Sequence, residues 1–208
     1  MLVDVSPTRM ELLKLRKRVA VAKRGHKLLK DKRDELMKEF LRLVRENRDL
    51  RQGVEEMLVA ATRSFIVARA VMPREVLEEA IMAPKQRVYM EMATDVVMNV
   101  RVPRFSLRQE GDPVGYGFVD TSGELDAALA ALSEVLARLV RLAEVEKATE
   151  LLADEIERTR RRVNALEYVM IPELSAAVKE ISMKLSEQER SNVARLMKVK
   201  DIVRAQEA

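Results

Sequence analysis

The sequence has no cysteine and no tryptophan, and aromatic residues make up only 3% of its 208 positions. Without cysteine there is no disulfide, no thiolate nucleophile and no thiolate metal ligand. A single histidine, His26, and the absence of an HExxH pattern leave a metal centre without its usual ligands. Glycine and proline number six each, and all but Pro7, Gly25 and Pro172 fall between Gly53 and Gly123. The two flanks are therefore free to be helical and the middle is not. No uncharged run exceeds seven residues, whereas a membrane span needs about 20 predominantly apolar ones. The first residues also lack the apolar core of a signal peptide. These absences predict a soluble chain without a membrane span, of a length that suits one domain and a composition that suits an intracellular setting.

Charge is what the sequence has in abundance: 35% of positions, 38 basic against 34 acidic. That fraction, with so few aromatics, fits long solvated helices better than a compact core. The signs are segregated. Residues 9–33 carry eleven basic side chains against Glu11 and Asp31, a net of +9, while residues 124–160 carry nine acidic and five basic ones. A basic end of this kind attracts nucleic acid, anionic lipid or an acidic protein surface, and charge alone does not choose among them.

Apolar residues then set the architecture. From Leu12 onward, alternate steps of three and four pass through Leu15, Val19, Ala22, His26, Leu29, Arg33, Leu36, Phe40, Leu43, Asn47, Leu50, Val54 and Met57 to Ala61. This 3.5-residue repeat over seven heptads is the pattern of a left-handed coiled coil. The polar seam residues His26, Arg33 and Asn47 cost stability and serve to fix register. A second stripe runs through Leu125, Leu129, Leu132, Leu136, Leu139, Leu152, Ile156, Val163, Leu166, Met170, Leu174, Val178, Ile181 and Leu185, and on to Leu196 and Val203. One helix over residues 123–205 would be about 120 Å long and cannot bury its stripe alone. The expected fold is all-α dominated: a long antiparallel two-helix coiled coil, in one elongated domain over residues 1–208, with a short helix and a β-hairpin in the middle of the chain.

Ser6, Pro7 and Thr8 open the first helix, with Thr8 and Glu11 fitting a capping box. Gly25 sits inside it at a cost of up to about 1 kcal/mol. Pro73 ends it near Val71, and residues 73–82 form a short helix closed by Pro84. Val88, Met90 and Met92 alternate with other residues, as do Met98, Val100 and Val102, which predicts a hairpin turning at Ala93-Thr94-Asp95. Pro103 is expected to stop the second strand, leaving residues 104–122 as a loop. Thr121, Ser122 and Glu124 cap the last helix. Pro172 removes a helical hydrogen bond, and because the stripe keeps its phase past it the expectation is a kinked helix.

Chemistry is scarce. A lone seam histidine reads as a packed polar residue. Gly111, Gly115 and Gly117 do not form a phosphate loop, since no Gly-Lys-Ser/Thr follows and no helix opens directly after them. No cofactor and no catalysis are expected. The basic segment over residues 14–33 lacks the interleaved aromatics of a nucleic-acid surface, and its apolar stripe is committed to the seam, so nucleic acid is not the expected partner. Arg160, Arg161 and Arg162 point in three directions around a helix, which predicts at least one near the seam. They read either as a solvated collar or as positive contacts for an acidic sleeve. The rival readings are a prefoldin-like coiled-coil chaperone and a basic adaptor.

Five blocks carry a more specific signal: SPTRMELLKLRKR at residues 6–18, KRGHKLLKDKRDEL at 23–36, YGFVDTSGELD at 116–126, TRRRVNALEYVMIPEL at 159–174 and KLSEQER at 184–190. Together they resemble the D subunit of the A-type/V-type ATPases, the central rotor shaft. The resemblance implies a non-catalytic coiled coil inserted in a hexamer of A and B subunits, with both termini inside that head. It implies that the middle of the chain faces the membrane, near the F subunit and the membrane-side central-stalk C (d) subunit, in a complex on the cytoplasmic face. On that footing Lys14, Arg16, Lys17, Arg18, Arg160, Arg161 and Arg162 are candidate contacts to the head. The hairpin residues Val88, Met90, Met92, Met98, Val100 and Val102 are candidates for the side that meets the F subunit.

Overall fold

The computed structural model describes residues 7–117 and 119–206; Ser6 and Phe118, which belong to two of the blocks above, lie outside them. The elements in chain order are helix α1 (Arg9–Val71), helix α2 (Arg74–Met82), strands β1 (Arg87–Val97) and β2 (Val100–Glu110), helix α3 (Gly123–Ala165), a π-helical turn (Leu166–Met170) and helix α4 (Ile171–Gln206). The helices, the short α2 and the antiparallel hairpin are those the periodicity predicts. All fifteen heptad positions of α1 are buried or half-buried, including His26, Arg33 and Asn47. Thr8 Oγ1 accepts a hydrogen bond from the Glu11 amide at 3.3 Å, and Ser122 Oγ accepts one from the Glu124 amide at 3.3 Å, which satisfies donors that a helix start leaves open.

The chain divides into two compact units, Met1–Asp34 with Glu157–Ala208, and Glu35–Ile156. In the first, α1 and the α3–α4 arm run antiparallel: Arg9 pairs with Glu189 and His26 with Glu167. Leu15, Ala22, Thr159, Val163 and Ile181 are its buried side chains among the described residues.

The second unit is built on α1 and α3, also antiparallel, with α2 and the hairpin packed against them. Its core falls in three clusters: Leu36 and Leu43 with Val145, Ala148, Leu152, Ile156 and Val102; Val54 with Val135 and Leu142; and Ala68, Met72 and Leu77 with Leu125. On α3 the seam differs from the expected stripe. Val135 and Leu142 are buried, while Leu132 and Leu139 are exposed, because leucines surround this helix and leucine spacing alone does not choose a face.

The hairpin departs most from expectation. Its turn is Met98-Asn99, not Ala93-Thr94-Asp95, and both residues have positive φ (50° and 72°). That is the signature of a two-residue primed turn, whose twist matches that of the strands. Met98 is thus a turn residue and not part of a strand. Pro103 does not stop β2, which continues to Glu110 with Pro103 opposite Thr94. A two-residue turn makes Val97–Val100 a hydrogen-bonded pair, so Thr94–Pro103 falls on a non-bonded pair and the missing N–H is not needed. Phe105, two residues on, shows the same outward parity by donating its amide to Glu144 Oε2 of α3 at 3.1 Å. Gly111 follows β2 at φ +92°, where a Cβ would stand 2.6 Å from the Lys85 carbonyl oxygen; no other residue fits there.

The arm is not regular α-helix at Pro172. The helix widens into the π turn just before it, with the Ile171 amide bonded to the Leu166 carbonyl. Met170, expected on the seam, is 48% exposed, and Ile171 is half-buried in its place. The widened turn moves the stripe on by one residue.

Candidate functional site

The basic candidates are presented at the surface. Lys14, Arg16, Lys17 and Arg18 are all exposed, because the seam positions Leu12, Leu15 and Val19 take the inner face of the same turns. Thr159 and Val163 hold the seam opposite, and Arg160, Arg161 and Arg162 are all exposed, Arg160 and Arg162 flanking the seam and Arg161 on the far side. Arg161 pairs with Glu157 at 2.8 Å and Lys14 with Glu11 at 3.4 Å. Arg16, Lys17, Arg18, Arg160 and Arg162 make no ion pair among the described residues. The unit bearing them has 22 basic and 12 acidic residues, a net of +10, whereas Glu35–Ile156 has 16 and 22, a net of −6. The unit thus carries a marked net positive charge.

His26 is half-buried on this seam, with Nε2 3.3 Å from Glu167 Oε2. It is a packed polar residue tied to the π turn, as its seam position predicts. Thr159 is buried, and its hydroxyl finds no hydrogen-bond partner among the described residues.

The hairpin candidates separate into two groups. Val102 is buried in the unit's own core, and Val100 is packed against the same cluster. Val88, Met90 and Met92 are exposed. They lie opposite Gln109, Leu107 and Phe105, so they share one face of the ribbon, on which Leu107 and Phe105 are half-buried and Gln109 reaches α3. Met98 is partly exposed at the turn.

An ion-pair network holds the hairpin on the helix pair. Arg141 bridges Glu46 of α1 at 2.7 Å and also binds Glu144, and Glu144 takes the Phe105 amide. At the open end of the hairpin, Gln109 Nε2 donates to the Ser133 carbonyl at 3.2 Å and Gln86 Nε2 to Ser133 Oγ at 3.1 Å. Nearby, Glu39 is held below the usual carboxylate range chiefly by its hydrogen bond from Arg42. Tyr116 donates its hydroxyl to Asp126 at 2.5 Å. Burial first, and then that bond, push its phenol well above the usual value. Spacing gives no sign of this network, because its members come from α1, α3 and β2.

Among the described residues no helix is long and apolar enough to cross a membrane, and no group of three or more metal-ligating side chains forms. Two antiparallel helix pairs, one with a docked hairpin and the other strongly basic, define a coiled-coil protein. Residues 11–201 match the family model for the ATP synthase D subunit. The chain is 58% identical to the V-type ATP synthase D subunit of Acetivibrio thermocellus, over 97% of this chain and 93% of that one. It is 52% identical to that of a Thermoanaerobacter species (97% and 98%) and 50% identical to that of Clostridium novyi (97% and 95%). The chain belongs to the family of ATP synthase D subunits.

Proposed function

We propose that this chain is the central stalk, or rotor shaft, of an A/V-type proton- or sodium-translocating ATP synthase or ATPase. In this reading it is a non-catalytic component that carries torque between the catalytic hexamer and the membrane rotor ring, and it works as one elongated domain. The observation that carries the reading is membership of the D-subunit family over nearly the full length. The physical chemistry supports it. A shaft that must leave each angular position cannot be anchored by deep apolar contacts of about 2 kcal/mol or more. Exposed ion pairs of about 0–1 kcal/mol can be exchanged stepwise while still biasing the angle. Unpaired, exposed arginines on a coiled coil meet that requirement.

In this reading Lys14, Arg16, Lys17, Arg18 and Arg160–Arg162 face the sleeve formed by the A and B subunits. Val88, Met90 and Met92 face the F subunit, with Met98 at the edge of that surface. Val100 and Val102 belong to the same end of the molecule in this reading but pack into the chain's own core. The membrane-side central-stalk C (d) subunit also meets the middle of the chain, and the chain lies peripherally on the cytoplasmic face of the membrane as part of the complex. The test is replacement of Arg160, Arg161 and Arg162 by Ala in the assembled complex. Weakened coupling of ATP hydrolysis to ion transport, with unchanged helix content by circular dichroism, is expected. Undiminished coupling rejects the contact assignment.

A further inference from the structure

Along the α3–α4 arm the seam passes through Leu152, Ile156, Thr159, Val163 and Leu166, in steps of four and three, and through Ile171, Leu174, Val178, Ile181 and Leu185, in steps of three and four. Both runs are regular heptads. Between them, from Leu166 to Ile171, the step is five, so the arm carries one residue more than the repeat requires. At about 100° per residue, five α-helical residues overshoot a full turn by roughly 140°, which would swing α4's apolar face off its partner. The π turn occupies that step, Leu166–Met170, and its wider i→i+5 ring removes much of the overshoot.

We propose that this turn is a register joint. It houses the surplus residue, and by taking it up or releasing it lets α4 turn about its own axis relative to α3. Three features support a two-state joint. Met170 and Ile171 are adjacent and both apolar, so either the π form (Ile171 inward) or an α form (Met170 inward) puts an apolar side chain on the seam. Pro172 has no N–H to give the Tyr168 carbonyl, the bond that would tighten the turn into α geometry. The outer face is free, with Tyr168 72% and Val169 54% exposed, so the chain's own packing does not clamp the bulge. The Glu167–His26 contact at 3.3 Å is the tie from joint to α1. Its use, torsional give in a loaded shaft, rests on the proposed central-stalk role; its existence does not.

Backbone amide exchange on the isolated full-length chain tests it. The amides of Glu167 to Ile171 are expected to exchange about ten-fold or more faster than those of the α-helical turns on either side. Pro172→Ala should slow them only in part, because the surplus residue remains. Deletion of Val169 together with Pro172→Ala should restore an unbroken heptad and bring them to the rate of their neighbours. If Pro172→Ala alone does this, the turn is only the proline's footprint and the proposal falls. It falls equally if the unaltered chain shows no excess exchange. A chain that exchanges as expected but does not enter an ATPase assembly would keep the joint and lose the shaft.

Discussion

The two compact units solve one problem with different means. Each lays an arm of α1 against an antiparallel arm from the other end of the sequence, but only Glu35–Ile156 adds α2 and the hairpin. Leu36, Leu152 and Leu125 are there wholly removed from water, in clusters that Val102 of the hairpin or Leu77 of α2 helps to close. The basic unit has only its seam. A two-helix contact buries a stripe and leaves most of each helix wet, so this unit can keep its arginines free and tolerate a π turn.

That contrast predicts how the molecule comes apart. Leu36→Ala, in the cluster closed by the hairpin, should cost about 3–5 kcal/mol, while Ile181→Ala, on the two-helix seam, should cost about 2 kcal/mol because its surroundings can collapse into the space. Urea unfolding followed by circular dichroism measures both. Equal losses would mean that the third layer adds nothing. A smaller effect is expected at the clamp. Glu144→Ala leaves the Phe105 amide and Arg141 without their acceptor and should cost about 2 kcal/mol, with amides of β1 and β2 exchanging faster while those of α1 do not change. If hairpin exchange is unmoved, the network is not what docks it.

Tyr116→Phe should cost about 1 kcal/mol at neutral pH by removing one hydrogen bond to Asp126. The sign of its pH dependence follows from the raised phenol. Below the ordinary tyrosine value of about 10 both folded and unfolded states keep the proton, so the contribution is complete. Above it the unfolded chain ionises first, and stability falls as pH climbs toward the folded-state value. Unfolding between pH 9 and 11 should therefore be steeper in the native chain than in Tyr116→Phe, and parallel slopes would remove Tyr116 from the account. The smallest effects are gains, both in the basic unit. Thr159→Val replaces a buried hydroxyl that has no partner among the described residues, and Gly25→Ala adds a methyl where nothing described beyond its own helix backbone comes within 4 Å. Each should raise stability by up to about 1 kcal/mol in thermal unfolding of the isolated chain. A loss at either position would show that the seam there is tighter than its packing indicates.

The legibility of the sequence follows the same division. The α1 seam was readable in full because its heptad is uninterrupted and a polar residue at a seam position still marks the seam. The α3 seam was readable only in part, since Leu132, Leu136 and Leu139 compete with Val135 and Leu142. The hairpin was located but misregistered. Ala93-Thr94-Asp95 looks like a turn, Met98 does not, and Pro103 looks like a stop until the bonding parity of the ladder is known. Of the basic candidates, the exposure of Lys14, Arg16, Lys17 and Arg18 was legible, because the heptad gives the inner face to Leu12, Leu15 and Val19. Glu144, Arg141 and the Tyr116–Asp126 bond were not, because no local pattern links residues brought together from separate elements.

The sequence by itself determined two long helical arms, their antiparallel pairing, the place of the hairpin and the separation of charge. All of these follow from spacing and composition along one strand of text. Only the tertiary structure decided which of two adjacent apolar residues, Met170 or Ile171, meets the partner helix, and which hairpin valines are covered. The physical reason is that a side chain's face depends on the helix's accumulated rotation and on the ladder's pairing. Both are settled by what lies opposite.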